Sequence, residues 1–218
     1  MTAQLQLTLV RHGETAWSLT GQHTGRSDLP LTGHGRQMAS KLAAGLAELP
    51  FDLVLSSPSL RARDTCALAG LGDQATIDDD LVEWHYGRYE GLRTAEIHQQ
   101  RPDWDVWRDG CPGGESVAEV GARADRLIGK LLLRLAVCQP AVAADGAPQT
   151  LQRVALFSHG QFGRALAARW IGLAVDQGRH FALDPASLSQ LGFDAAHPQR
   201  RIISLWNAGA ATLAAGEP

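Results

Sequence analysis

The sequence predicts an α/β fold on a mostly parallel sheet, and three observations carry the prediction. Short apolar runs at residues 7–10, 51–55 and 154–157 have the length and composition of buried strands. Each precedes a stretch with helical spacing, so strands and helices alternate as they do where helices cross between parallel strands. Two of the runs, LTLV and VALF, deliver related polar groups at their ends, Arg11-His12-Gly13 and Ser158-His159-Gly160. In a parallel sheet both ends lie on one edge, the edge where open α/β sheets bind ligands.

The elements follow in order. After the first strand, Gly13 lets the chain turn sharply. Residues 16–33, AWSLTGQHTGRSDLPLTG, are too rich in Gly, Ser, Thr and Pro for regular structure and read as a loop over the strand end. Thr32 caps a helix over 33–49, with Met38, Leu42, Leu46 and Leu49 at helical spacing. The strand over 51–55 leads into SSPSLRARDTCALAGL, a helix start with Ser57 as cap and Pro58 in the first position. IDDDLVEWHYGRYEGL is dense in acids and aromatics and interrupted by Gly87 and Gly91, so it reads as irregular and facing a cleft. A short helix over 94–100 precedes Pro102 and a Trp-rich turn, WDVWRDGCPGGES, closed by Gly113 and Gly114. Ser116 and Glu119 have capping-box spacing and open a helix to Val137, whose stretch LIGKLLLRLAV packs on the sheet. Residues 138–150 read as a surface loop, 154–157 as a strand and 161–173 as the helix behind it. Strands over 189–193 and 201–205 fit a hairpin, and the Ala/Gly tail from Ala208 reads as frayed. Residues 1–218 show no repeat or linker and read as one domain.

A chain of 218 residues with 44% hydrophobic content can bury one sizeable core. Its net charge of −3, two lysines and lack of a basic block argue against a nucleic-acid surface, so the expected partner is a small molecule. Three widely spaced cysteines, Cys66, Cys111 and Cys138, form no metal-spaced cluster, which points to reduced thiols, a cytoplasmic location and no metal. The N-terminus has no basic segment followed by an apolar run, and no stretch approaches the roughly 20 apolar residues of a membrane span. Oligomeric state is left open.

The chemistry-bearing residues point toward phosphate. Arg11 beside His12 pairs a fork-shaped cation with a nitrogen nucleophile. Arg61 and Arg63 fall in the first two turns of a helix, where unpaired amides and the dipole favour an anion, and Arg61 is placed to join Arg11. Glu83, beside Trp84 and Tyr86, suits a general acid whose pKa is raised by partial desolvation, with Glu90 competing for the role. His23 lies in the loop over the site. His34, His98, His180 and His197 read as surface or helix residues, His85 as packing, and Trp104 and Trp107 as a lid or core cluster.

The motifs RHGET, PLTGHGRQ, SSPSLRA, LVEWHYGRYEG and FSHG together resemble the histidine phosphatase superfamily over nearly the whole chain. That resemblance implies a phosphoglycerate mutase-like three-layer sandwich and phosphomonoester hydrolysis without a cofactor. It implies His12 as the phosphorylated nucleophile, Arg11 and Arg61 as phosphate ligands, His159 as the group completing the pocket and Glu83 as the proton donor. Further donors come from Gly160 or the Thr24-Gly25 turn, and Ser18, His23 and Gln161 complete the expected substrate-binding set. WSLTGQHTG, PSLRARDT, DDDLVEWHYGRYEG, WRDGCPGGES and HFALDPAS are most similar to the branch that contains sedoheptulose-1,7-bisphosphatase, which implies a sugar phosphate or bisphosphate. Ser18 stands where many relatives have Asn, and Gln22 where Arg is common. Cofactor-dependent mutases usually carry Arg after the acid and a double Arg downstream; Trp84 and the Arg101-Pro102 pair depart from that pattern. A mutase is the runner-up, and a catalytically silent phosphate-binding module the reading from another class. Around His12 a bound phosphate raises the imidazole pKa and the arginines lower it, a balance the sequence leaves open.

Overall fold

The computed structural model describes residues 4–137 and 151–210; the expected loop over 138–150 and residues 211–218 lie outside them, and Ala208, expected to begin a frayed tail, is a buried strand residue instead. The strands are β1 (Gln4–Arg11), β2 (Leu53–Ser56), β3 (Ala75–Ile77), β4 (Leu151–Ser158), β5 (Leu188–Phe193) and β6 (Arg201–Ala208). They form one six-stranded sheet in the order β3-β2-β4-β1-β5-β6. Three of its five pairings are parallel, and β5 and β6 add antiparallel at one side. The helices are α1 (Ala16–Thr20), α2 (Gly33–Ala47), α3 (Leu60–Leu68), α4 (Thr94–Gln100), α5 (Val106–Asp109), α6 (Val117–Val137) and α7 (Gly160–Trp170).

Side-chain alternation along the central strands divides the core in two. Leu5, Leu7 and Leu9 of β1 and Val154 and Leu156 of β4 pack with Val120, Ala124 and Leu127 of α6 and Phe162 and Trp170 of α7. Val10, Ala155 and Phe157 point the other way, onto Leu42 and Leu46 of α2 and Cys66 of α3. Both faces of β1 and β4 are therefore covered, which explains why their sequences are continuous apolar runs. The result is the expected three-layer α/β arrangement. Trp84, Trp104 and Trp107 belong to the first core, not to a lid.

Several local expectations are met. The Thr32 hydroxyl accepts from Gly35 N–H at 2.9 Å and opens α2. Ser116 and Glu119 exchange the reciprocal bonds of a capping box before α6. Others are corrected. The loop over 16–33 contains α1, opened by a capping box between Thr15 and Ser18. The Trp-rich turn contains α5, capped by Asp105. The helix after β2 starts at Leu60, with Ser59 and not Ser57 at the cap position. Asp28, from the preceding loop, accepts the Leu60 N–H at 2.6 Å, so a distant carboxylate supplies the cap. Gly13 is required by crowding: a Cβ there would lie 2.5 Å from the Gly35 carbonyl oxygen.

Candidate active site

Strand register brings the two His-Gly ends together. β1 and β4 run parallel with Arg11 opposite Ser158, and His12 N–H donates to the Ser158 carbonyl at 2.9 Å. The His12 and His159 rings follow directly, with centroids 5.2 Å apart and planes inclined by 61°. Both are buried. His12 Nδ1 lies 2.7 Å from the Gly13 carbonyl, which can only accept, so Nδ1 carries the proton and Nε2 keeps its lone pair. Burial, then the charges of Arg61 and Arg11, hold the His12 pKa well below the ordinary imidazole value. The nucleophile candidate is neutral before substrate arrives.

His159 has the opposite tautomer. Arg61 Nε–H donates to its Nδ1 at 3.2 Å, so its Nε2–H donates to the Ser57 hydroxyl at 2.8 Å. This contact explains why Ser57 does not cap α3. Burial and the Arg61 charge also push the His159 pKa well below its ordinary value.

The two arginines differ in what they can offer. Arg11 donates from Nη1 to the Leu183 carbonyl, and its Nε is buried without a hydrogen-bond partner. Its guanidinium lies against Gly160, where a Cβ would meet Cζ at 3.2 Å. Arg61 is fully buried; Nη1 donates to the Ser27 carbonyl at 2.9 Å and Nη2 to the Gly25 carbonyl at 3.0 Å. Arg61 thus pins the loop over the strand end while placing its charge beside both histidines. Arg63 is exposed and points elsewhere.

The loop is held from its other side by Glu90, whose Oε1 accepts from Gly25 N–H at 2.8 Å and Ser27 N–H at 2.9 Å. Two expectations change. Gly25 has no amide left for a ligand, and Glu90 lies outside the cavity lining, bracing the loop instead.

Glu83 is buried at the start of α7. Its Oε1 accepts from Trp84 N–H at 2.8 Å and Phe162 N–H at 2.7 Å, and Oε2 accepts from Gln161 N–H at 3.0 Å. Backbone amides therefore line the carboxyl where aromatic rings were expected. The Trp84 ring turns away, donating from Nε1 to the Glu115 carbonyl at 2.9 Å and packing edge-on against Trp107.

A cavity of about 240 Å³ opens over these groups. Arg11, His12, Glu83, Gly160 and Gln161 line it from the strand ends and α7, and Ser18, His23 and Thr24 line it from the loop. His159 and Arg61 do not line it. Its lining also includes Gln22, Tyr86, Arg164 and Leu183, which sequence reasoning did not assign to the site. Arg164 lies one helical turn after Gly160, a periodicity that could have found it. Tyr86 stacks on His23 with centroids 4.5 Å apart, and burial pulls the His23 pKa down to about 4. His34, His180 and His197 are exposed, and His98 bonds the Trp104 carbonyl. Among the described residues no three His, Cys, Asp or Glu side chains converge to hold a metal ion, and no helix is long and apolar enough to cross a membrane.

The arrangement suits in-line transfer to nitrogen: a free imidazole lone pair, guanidinium charge around it and a carboxyl lining the same cavity. Comparison with known proteins places the chain in a family. The family profile described as histidine phosphatase superfamily (branch 1) matches residues 7–208. An acid phosphatase of Mycobacterium tuberculosis is 41% identical over 205 residues, covering 92% of each chain. The sedoheptulose 1,7-bisphosphatase of Saccharomyces cerevisiae is 36% identical over 193 residues, 78% of this chain and 68% of the yeast protein. The solved structure of a Mycobacterium tuberculosis open reading frame product superposes with a TM-score of 0.81 at 39% identity, covering 94% of this chain and 98% of that one. The chain belongs to the histidine phosphatase superfamily and is a phosphatase, a hydrolase of phosphoric monoesters.

Proposed function

We propose that the protein hydrolyses a small phosphorylated metabolite, a sugar phosphate or bisphosphate, through a phosphohistidine on His12. The observation that carries the reading is the His12 tautomer, with Nδ1–H bound to Gly13 and a neutral Nε2 near two guanidinium groups, half-buried Arg11 and fully buried Arg61. Phosphoryl transfer demands positioning and charge neutralisation above all. Arg11 supplies an unpartnered Nε–H, Arg61 a buried charge, and His159 holds Arg61 in place. Nε2 attacks phosphorus; the N–P bond forms as the ester P–O bond breaks, and Glu83 in its acid form protonates the departing alkoxide. Water then attacks phosphorus and gives its proton to the Glu83 carboxylate. The N–P bond breaks, leaving inorganic phosphate and neutral His12.

The substrate class is supported by the rest of the cavity. Its volume is below the roughly 300–1,000 Å³ common for sites that enclose a drug-sized ligand, which favours a compact ester. Arg164 donates to the Gly178 and Arg179 carbonyls and to Gln161 Oε1, all neutral oxygens, so its charge in the cavity wall is available to a second anionic group. The yeast relative named for a bisphosphate supports the same class. A cytoplasmic location is supported by Cys66 and Cys111, both free and buried.

Phosphate release from sugar bisphosphates, phosphoglycerates and nucleotides, assayed side by side, tests the substrate class. Rapid quenching with labelled substrate tests the intermediate. The expected result is acid-labile label on the native enzyme and none on His12→Ala. A fully active His12→Ala overturns the scheme, and isomerised phosphoglycerate without net phosphate release makes the protein a mutase.

A further inference from the structure

The passage that carries Glu83, residues 78–85, contains one 3₁₀ turn, Asp79–Leu81, and no strand. Its position is set by α6. Arg123, on the first half of that helix, is buried and uses every hydrogen it has. Nη1 donates to the carbonyls of Val82 at 2.7 Å and Asp80 at 3.0 Å, and Nη2 reaches the Glu83 carbonyl at 3.4 Å. Nε and Nη2 form a bidentate pair with Glu115 at 2.9 and 2.8 Å, and Glu115 in turn accepts the His85 N–H at 2.9 Å. The acid is thus bracketed by bonds on both sides of it in sequence.

The same guanidinium also touches the opposite wall. Its Cζ lies 4.2 Å from the centroid of the Phe162 ring, and the Phe162 N–H donates to Glu83 Oε1 at 2.7 Å. One side chain therefore contacts the backbone that bears the carboxyl and the residue whose amide aims it. We propose that Arg123 is the positioning residue for proton transfer by Glu83, with Glu115 fixing the guanidinium in the required orientation. The inference rests on the reading of Glu83 as proton donor. A lysine cannot substitute, because its three donors radiate from one atom and cannot grip a carboxylate in a fork while spanning carbonyls on the other side.

Leaving-group dependence tests this. An alkyl phosphate needs its alkoxide protonated, whereas an aryl phosphate with an electron-withdrawing ring expels a stable phenolate with little help. kcat/KM, which reports steps up to phosphorylation of the enzyme, is measured for both esters on the native enzyme, Arg123→Lys, Glu115→Gln and Glu83→Gln, with thermal midpoints alongside. Arg123→Lys is expected to lose about ten-fold or more on the alkyl ester and several-fold less on the aryl ester, because a displaced acid forfeits part of the about 10²–10⁴-fold that general acid catalysis supplies. Glu115→Gln, which keeps the size of the partner, gives the same bias more weakly and carries the test where Arg123→Lys does not fold. Equal losses on both esters, or none on either, in a folded variant overturn the proposal while Glu83→Gln keeps its bias. A Glu83→Gln enzyme without bias overturns the reading of the acid itself, and this proposal with it.

Discussion

His12 and His159 each stand one residue past the end of a central strand, whereas Glu83 stands in the irregular passage between β3 and α4. The histidines inherit their spacing from a parallel ladder that pairs Arg11 with Ser158. The backbone that bears the carboxyl is held by side chains: Arg123 and Glu115, the ion pairs of Asp80 with Arg126 and Lys130, and the Ser158 hydroxyl on the Leu81 carbonyl. Backbone pairing tolerates most substitutions on the strands; a clamp of charged groups fails when one member is lost, because its buried partner is left uncompensated. Single substitutions should therefore separate the nucleophilic half of the site from the acid half.

The largest expected effect lies at the sheet edge. His12→Ala should lower kcat by about 10⁴-fold or more with the thermal midpoint little changed, as for loss of a covalent nucleophile. Steady-state kinetics beside a melting curve would show it; a large drop in midpoint would mean the ring is structural. Next come the two carboxylates. Glu83→Gln should cost about 10²-fold or more on an alkyl phosphate, while Glu90→Gln, which braces Gly25 and Ser27, should cost about ten-fold or less and mainly raise KM. Equal effects would return Glu90 to contention as the acid.

Gly160→Ala sharpens the contrast from within the strand-end half. A methyl 3.2 Å from Arg11 Cζ requires the guanidinium to shift by a few tenths of an ångström, so phosphate affinity should fall by up to about ten-fold, some 1.4 kcal/mol, measurable as the inhibition constant of inorganic phosphate. Unchanged inhibition would remove Arg11 from the phosphate site. The smallest effect concerns pH. His23 joins the two halves by stacking on Tyr86, and burial lowers its pKa from 6.5 to about 4. Below pH 6.5 the unfolded chain therefore takes up a proton that the folded chain refuses, and stability falls as pH drops toward 4. His12 and His159, also held low, act in the same direction. His23→Gln should make the decline of the thermal midpoint between pH 6.5 and 4 shallower by a few degrees; an identical slope would show that His23 titrates freely.

How far the sequence could be read follows the range of the interactions involved. The alternation of strand and helix, the two His-Gly ends, the Thr32 cap and the Ser116-Glu119 box are local patterns, and each appears in the structure. Ser57 has the form of a helix cap in sequence, yet its hydroxyl accepts from His159, 102 residues away. Asp28 caps a helix 32 residues on, and Gly13 is demanded by a contact with Gly35. Neither could be seen in a window of neighbours.

The sequence by itself determined the two buried central strands and the reactive groups that stand at their ends, because hydrophobic periodicity and capping are settled among residues a few positions apart. Only the tertiary structure decided how each polar group spends its hydrogen bonds. It gave His12 a free Nε2 and occupied both nitrogens of His159, turned Glu90 into a loop brace, and placed Arg123 behind Glu83. The physical reason is that every buried donor and acceptor must find a partner among whatever the fold brings near, and that pairing is resolved over the whole molecule at once.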